Sequence, residues 1–156
     1  MSERLINHED FGALAGEVLK QGSSFKFRAH GNSMRPFIYN GDTVELIGED
    51  PDRIRRGDIV LCWLTKEFLL LHRVIRVQKT DHGLIFTIQG DAFSWPDGVI
   101  PAENVIGKAA AVLRRGKWVA LDTFPMATLS KIWLILIPAR RLASRAAGAV
   151  RSLLLK

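Results

Sequence analysis

The sequence lacks several features that define common classes of protein. It has a single cysteine, Cys62, so no internal disulfide can form. It contains no CxxC pair or His-rich spacing typical of metal sites, and no glycine-rich loop typical of phosphate binding, so neither a metal nor a cofactor is expected. Met1–Lys20 carries acidic residues and has no apolar core of signal-peptide length. The apolar run Ile132–Ile137 is far shorter than the ~20 residues that span a bilayer.

Acidic residues are nearly missing from the C-terminal part of the chain. Residues 114–156 contain nine Lys or Arg and one acid, Asp122, which gives a net charge of +8. Residues 1–113 contain thirteen basic and fifteen acidic residues, a net charge of −2. A basic tail fits nucleic acid or an anionic membrane surface. Because this tail is rich in Leu, Ile and Ala and poor in aromatic residues, a membrane or another protein is favoured and nucleic acid is disfavoured.

The remaining pattern predicts one mainly β domain. The chain of 156 residues is 47% hydrophobic and 24% charged, as in a globular domain. Short segments that alternate or are wholly apolar are separated by turns, which indicates a coiled, mostly antiparallel sheet. The predicted strands cover residues 24–30, 43–47, 59–64, 68–77, 84–89, 108–113 and 117–121. We therefore divide the chain into an N-terminal helix (1–23), a β domain (24–122) and a helical tail (123–156).

Two segments outside the strands have helical spacing. The first, Asp10–Lys20, is predicted to cover one end of the sheet with Phe11, Leu14, Val18 and Leu19. The second segment, Ala139–Lys156, is predicted to be an amphipathic helix. It follows Pro138, which is expected to interrupt the apolar run Ile132–Ile137. The apolar face of that helix would comprise Leu142, Ala146, Ala149, Val150, Leu153 and Leu154. Its arginines, Arg140, Arg141, Arg145 and Arg151, would lie largely elsewhere. Three uses stay open: packing on the domain or on a second copy, peripheral membrane contact through residues 129–156, and nucleic-acid binding.

A turn around Ser33 is the most unusual stretch of the sequence. Gly31 permits backbone torsions barred to other residues, and Pro36 fixes φ. Together with Gly41-Asp42, they predict a sharp, exposed turn that presents one hydroxyl. A serine in an ordinary loop would account for the same residues.

The histidines differ in their surroundings. His72 follows an apolar run, Phe68–Leu71, and is either a core residue or a base, since partial desolvation keeps imidazole neutral near pH 7. His30 ends an alternating strand and is expected to point away from Ser33 or to solvent. His82 lies at the tip of a predicted hairpin and has no catalytic prospect.

Four ordered segments carry a family resemblance. They are G-N-S-M-R-P at 31–36 with Gly41-Asp42, R-G-D-I-V-L at 56–61, L-H-R-V-I at 71–75, and Q-G-D-A at 89–92 followed by Asp97. Over residues 25–110 the chain resembles the serine peptidases that include type I signal peptidases and LexA-like self-cleaving repressors. A histidine at position 72, where bacterial signal peptidases and the repressors have lysine, resembles the archaeal and endoplasmic-reticulum branch.

This resemblance implies a serine endopeptidase that cleaves a peptide or protein substrate without a cofactor. Ser33 would be the nucleophile, His72 the general base and Asp97 the acid that orients it. Asp91 would either organise its loop or take a direct part. The Ser33 N–H would bind the oxyanion, and a second donor would come from the backbone, because Gly31 replaces a serine that is common in signal peptidases.

Two other interpretations remain open. The first is a non-catalytic or regulatory β domain that keeps these segments as scaffold and binds a partner through its tail. The second is self-cleavage at Ala15-Gly16, although no DNA-binding domain precedes that bond.

Two features depart from the family pattern. No N-terminal membrane anchor is evident, which weighs against secretory cleavage. The short segment between His72 and Asp97 leaves no room for an inserted domain.

Overall fold

A computed structural model describes residues 7–154, without the side chains of residues 124 and 143–154. Eight strands form one antiparallel sheet, with helix α1 (His8–Lys20) before it in the chain and helix α2 (Phe124–Leu154) after it. The strands are β1 (Phe25–Arg28), β2 (Thr43–Ile47), β3 (Ile59–Trp63), β4 (Leu69–Thr80), β5 (Gly83–Gln89), β6 (Gly98–Pro101), β7 (Val105–Arg114) and β8 (Lys117–Ala120). The predicted mainly β fold is confirmed.

The sheet is curled into a half-barrel. Its strands lie in the order β1-β2-β7-β3-β4-β5-β6, and β8 pairs with the second half of β7. The register shifts within three of the pairings: between Glu45 and Leu46 of β2, between Leu61 and Cys62 of β3, and between Val74 and Arg76 of β4. Such bulges bend a strand and increase its twist, which explains why the sheet curls instead of remaining flat.

Both faces of β4 are covered by apolar side chains, as its apolar run predicts. Leu71 packs against one buried cluster, which includes Ala15 of α1 and Phe37 of the Ser33 turn. Leu70 packs against a second cluster. The second cluster consists of Ile54, Val60, Cys62, Val74, Phe86, Ile88 and Ile100. The strand that carries His72 is therefore held rigidly from both sides.

Helix α1 begins two residues before its predicted start. The Asn7 side chain accepts a hydrogen bond from the Asp10 N–H at 2.7 Å and caps the helix. Leu14, expected to face the sheet, is 46% exposed, whereas Gly12 and Ala15 are buried. Small residues occupy the inner face because the ring of Trp63 lies against the helix there.

Helix α2 contradicts the expected break at Pro138, since it runs through this residue without ending. Proline removes one backbone donor, but side chains on both sides of it hold the helix on the domain. Leu134 and Ile137 are buried before it, and Arg140 and Arg141 bind the domain after it. Packing therefore outweighs the local disruption.

Part of the predicted tail face lies outside the described side chains. This applies to Ala146, Ala149, Val150, Leu153, Leu154, Arg145 and Arg151. Among the described residues, no helix combines the length and the hydropathy needed to cross a bilayer.

Candidate active site

The turn that carries Ser33 lies between β1 and β2. Gly31 has a φ of +89°, and its N–H donates to the Asn40 side chain at 3.0 Å. Met34 and Phe37 are buried in the core, and Ser33 itself is half-buried. The turn is thus anchored by its apolar residues and leaves Ser33 at the edge of the core.

Arg114 of β7 fixes the end of this turn. Its guanidinium donates to Asp42 Oδ2 at 2.6 Å and to the Phe37 carbonyl at 2.8 Å. The same carboxylate oxygen accepts the Tyr39 N–H at 2.9 Å. The Gly-Asp pair at 41–42 is therefore structural, because its carboxylate organises the turn.

His72 lies on β4 opposite Val60, and its side chain is 5% exposed. Nδ1 is 3.0 Å from Asp97 Oδ2. Burial lowers the pKa of His72, while the Asp97 carboxylate opposes that shift. The Asp97 carboxylate acts on the pKa of His72 both through its charge and through a side-chain hydrogen bond.

Asp97 is held in place by backbone groups. Its N–H donates to the Ile88 carbonyl at 2.9 Å, and its Oδ2 accepts the Gly90 N–H at 2.8 Å. The oxygen that faces His72 is thus also fixed by the loop between β5 and β6. This anchoring favours a carboxylate that orients the imidazole ring.

Asp91, the second acid of this loop, has a different partner. Arg73 donates to its two oxygens at 2.7 and 2.8 Å, and both side chains are buried. Burial raises the pKa of Asp91, and the Arg73 guanidinium opposes that shift. Arg73 also donates to the Gly57 carbonyl at 2.6 Å and to Ser130 Oγ at 3.0 Å. Asp91 therefore organises the loop through Arg73, one of the two roles that the resemblance left open.

Gly90 is the point at which the parts of the site meet. A Cβ added there would lie 2.9 Å from the Ser33 carbonyl oxygen, 3.1 Å from His72 Nε2 and 2.8 Å from the Phe93 ring. The Ser33 carbonyl accepts the Ala92 N–H at 2.8 Å, which ties the turn to the loop. Nδ1 of His72 thus faces Asp97, and Nε2 is the nitrogen on the side of Ser33.

A small cleft of about 140 Å³ opens at this point. Ser33 and His72 both line it, together with mostly apolar residues. These are Phe27, Ala29, His30, Gly31, Met34, Ile38, Leu69, Leu70 and Leu71. His30 is exposed, as expected, but it also contributes to the cleft. In the described range 7–154, no group of His, Cys, Asp and Glu side chains could hold a metal ion.

The Ser33 backbone provides a donor for an oxyanion. Within the described part of the chain, its N–H donates to no acceptor, while its carbonyl is bonded to Ala92. A donor on the backbone of the nucleophile itself is suited to stabilise charge on a tetrahedral intermediate.

Helix α2 holds the loop that carries Asp91 and Asp97. Arg140 donates to the carbonyls of Asp91 and Phe93 at 2.7 and 3.0 Å. Arg141 donates to the Ser94 carbonyl at 2.9 Å. Because the Phe93 ring packs edge-on against His72 with centroids 6.2 Å apart, the helix is connected to the candidate base through one side chain.

The helix also contacts the Ser33 turn. Trp133 packs edge-on against Phe37, with ring centroids 5.9 Å apart, and its Nε1–H donates to the Asp91 carbonyl at 3.2 Å. One tryptophan therefore joins the turn of the candidate nucleophile to the loop of the candidate acid.

Sequence reasoning named the four residues Ser33, His72, Asp91 and Asp97 and missed the groups that hold them. An arginine beside His72, inside a buried strand, needs an acid partner, and this signal could have identified Arg73. Trp133 and Arg140 are two helical turns apart and lie on one face. That spacing shows a shared face but not what the face contacts.

Comparison with known proteins assigns no family. No family model matches this chain, and no curated protein matches it.

Proposed function

We propose that the chain is a serine endopeptidase in which Ser33 is the nucleophile, His72 the general base and Asp97 the acid that orients the base. The observation that carries this proposal is the arrangement around Gly90. Asp97 faces Nδ1 of His72 at 3.0 Å, and Nε2 points to the side of the Ser33 backbone. This is the order in which a Ser-His-Asp triad is connected.

Each group has a defined part in the reaction. His72 Nε2 accepts the Ser33 hydroxyl proton while Oγ attacks the carbonyl carbon of the scissile bond. The Ser33 N–H binds the oxygen that becomes negative. Protonated His72 then gives its proton to the leaving amine, and water hydrolyses the resulting ester by the reverse sequence of proton transfers. The lowered pKa of His72 keeps the imidazole neutral before the attack.

The substrate class follows from the cleft and from the resemblance. Likeness to signal peptidases and self-cleaving repressors supports a peptide bond as the target. A cleft of about 140 Å³ with mostly apolar lining best accommodates a small apolar side chain next to that bond.

A fluorophosphonate reagent tests the proposal, because it reacts with activated serine hydroxyls. Wild-type protein should be labelled at Ser33. Labelling should disappear in Ser33→Ala and in His72→Ala, and peptidase activity in the double variant should be no lower than in either single variant. Ser24→Ala is the matched control, since Ser24 is an exposed serine bound to Glu45, and it should retain labelling.

One observation favours a non-catalytic scaffold as the second candidate. The buried pair of Arg73 and Asp91 shows that two of the four segments contain residues with a structural role. A folded protein that is not labelled at Ser33 under any pH condition would support this alternative and refute the peptidase.

A further inference from the structure

Helix α2 has a second apolar face, opposite the one that packs on the domain. With 3.6 residues per turn, Ser130, Leu134 and Ile137 fall on the inner side, and all three are buried. Five apolar residues on the other side are 43% to 72% exposed. They are Leu129, Ile132, Ile135, Leu136 and Leu142, and we call them the outer face of α2.

This outer face is too continuous to be ordinary surface. It extends over residues 129–142, which is ~20 Å along a helix. Single exposed apolar residues are normal on soluble proteins, but a contiguous row marks a site of protein or membrane contact. The outer face is therefore a binding surface.

The charge of the helix indicates which partner binds the outer face. The segment 124–154 contains five basic residues, one lysine and four arginines, and no acidic residue. A second copy of the same helix would bring like charges together. An anionic bilayer instead supplies an apolar interior for the outer face and negative headgroups for exposed Lys131 and for the net positive charge of the chain, while Arg140 and Arg141 stay bound to the loop between β5 and β6.

We propose that the outer face of α2 lies in the interface of an anionic membrane, with the helix parallel to the surface. The inference concerns attachment and goes beyond the proposed peptidase activity, on which it does not depend.

The chain offers a clean labelling experiment. Its single cysteine, Cys62, is buried, so a thiol-reactive, environment-sensitive dye can be directed to Ile135→Cys on the outer face. With vesicles of phosphatidylglycerol and phosphatidylcholine, the dye emission should shift to the blue, and the protein should sediment with the vesicles. Both effects should weaken as salt rises and vanish on phosphatidylcholine alone. Dye at Glu67→Cys, in the exposed turn between β3 and β4, should not shift.

Removal of the outer face should remove binding. The triple variant Ile132→Ser, Ile135→Ser, Leu142→Ser should bind anionic vesicles at least ~10-fold more weakly for each side chain lost. Val99→Ser, which changes an apolar residue of β6 that is 56% exposed, should bind as wild type. The proposal is overturned if wild-type protein ignores anionic vesicles at low salt, or if the triple variant binds them equally well. It is also overturned if sedimentation equilibrium shows a dimer that the triple variant alone abolishes and vesicles bind neither protein, because the outer face is then an interface between copies.

Discussion

Arg73 holds Asp91 through two hydrogen bonds, of 2.7 and 2.8 Å, in a position where both side chains are almost fully buried. His72, the preceding residue of β4, faces Asp97 of the same loop. Two consecutive residues of one strand thus engage two acids that are six residues apart. The pair of Arg73 and Asp91 fixes the loop, and Asp97 remains beside the imidazole ring.

Substitution of Asp91 should therefore cost mainly stability. Asp91→Asn leaves the buried Arg73 charge with neutral partners, the Gly57 carbonyl and Ser130 Oγ. We expect the free energy of unfolding to fall by about 3–5 kcal/mol, as measured by urea denaturation. Asp81→Asn, in the exposed turn between β4 and β5, should change it by less than about 0.5 kcal/mol. Equal stability of the Asp91 variant and wild type would show that the ion pair does not hold the loop.

Substitution of Asp97 should cost mainly reactivity. Asn in this position keeps the size of the side chain but no longer fixes the reactive tautomer or stabilises imidazolium. Fluorophosphonate labelling of Ser33 should slow by ~10³–10⁴. Labelling at the wild-type rate in a folded Asp97→Asn variant would remove Asp97 from the site.

The pKa of His72 predicts a pH profile. Because burial lowers this pKa, labelling of Ser33 should rise with pH and level off with a midpoint below ~6.5, the usual value for histidine. The unfolded chain binds the proton more readily, so the stability contributed by neutral His72 is present above ~pH 6.5 and lost as pH falls through the folded-state pKa. Ring-proton chemical shifts of His72 give the midpoint without activity. In Asp97→Asn that midpoint should fall further, and a midpoint above 6.5 in wild type would contradict the prediction.

The sequence was sufficient to predict most strands and to name four residues that the structure brings close together. Period-two patterns set the bounds of β2 correctly because one face of that strand is buried and the other is not. The position of His72 opposite Asp97 was predicted from ordered segments that resemble a known family. The geometry agrees with that order, while the activity itself is still a proposal.

The support of the site by α2 could not be predicted in the same way. Arg140 contacts residues that precede it by 49 and 47 positions, and local patterns contain no information about such separations. The continuation of the helix through Pro138 also depends on contacts between residues that are far apart in the sequence. Local propensity predicts a break there, and the packing of Leu134 and Ile137 on the domain overrides it.

Gly90→Ala tests whether close contact at the junction of the site is required. The added methyl would overlap the Ser33 carbonyl and the Phe93 ring and would approach His72 Nε2. The Ser33 carbonyl belongs to the backbone and cannot move aside easily. We therefore expect a loss of about 1–3 kcal/mol in stability and a strong loss of Ser33 labelling. Gly16→Ala is the control, because its nearest neighbour would be 3.9 Å away and alanine favours a helix. Labelling of the Gly90 variant at the wild-type rate would show that the site tolerates displacement of the loop.

Arg140→Met tests whether α2 positions the loop between β5 and β6. Methionine keeps much of the apolar length of the side chain but removes the hydrogen bonds to the Asp91 and Phe93 carbonyls. Freed from these bonds, the loop should hold Asp97 less firmly against His72. We expect Ser33 labelling to slow by about 10-fold, the effect of a hydrogen bond from a charged donor worth roughly 1.5 kcal/mol.

A purely structural role for Arg140 would lower stability without altering His72, so the pKa of His72 separates the two cases. Under the positioning role, its midpoint in Arg140→Met should shift downward, because the nearby carboxylate that opposes the effect of burial is held less closely. Amide hydrogen exchange in residues 90–97 should accelerate at the same time. Lys131→Met, which removes an exposed positive charge from the same helix, should change neither quantity. An unchanged midpoint together with unchanged exchange in Arg140→Met would restrict α2 to packing, even if labelling slowed.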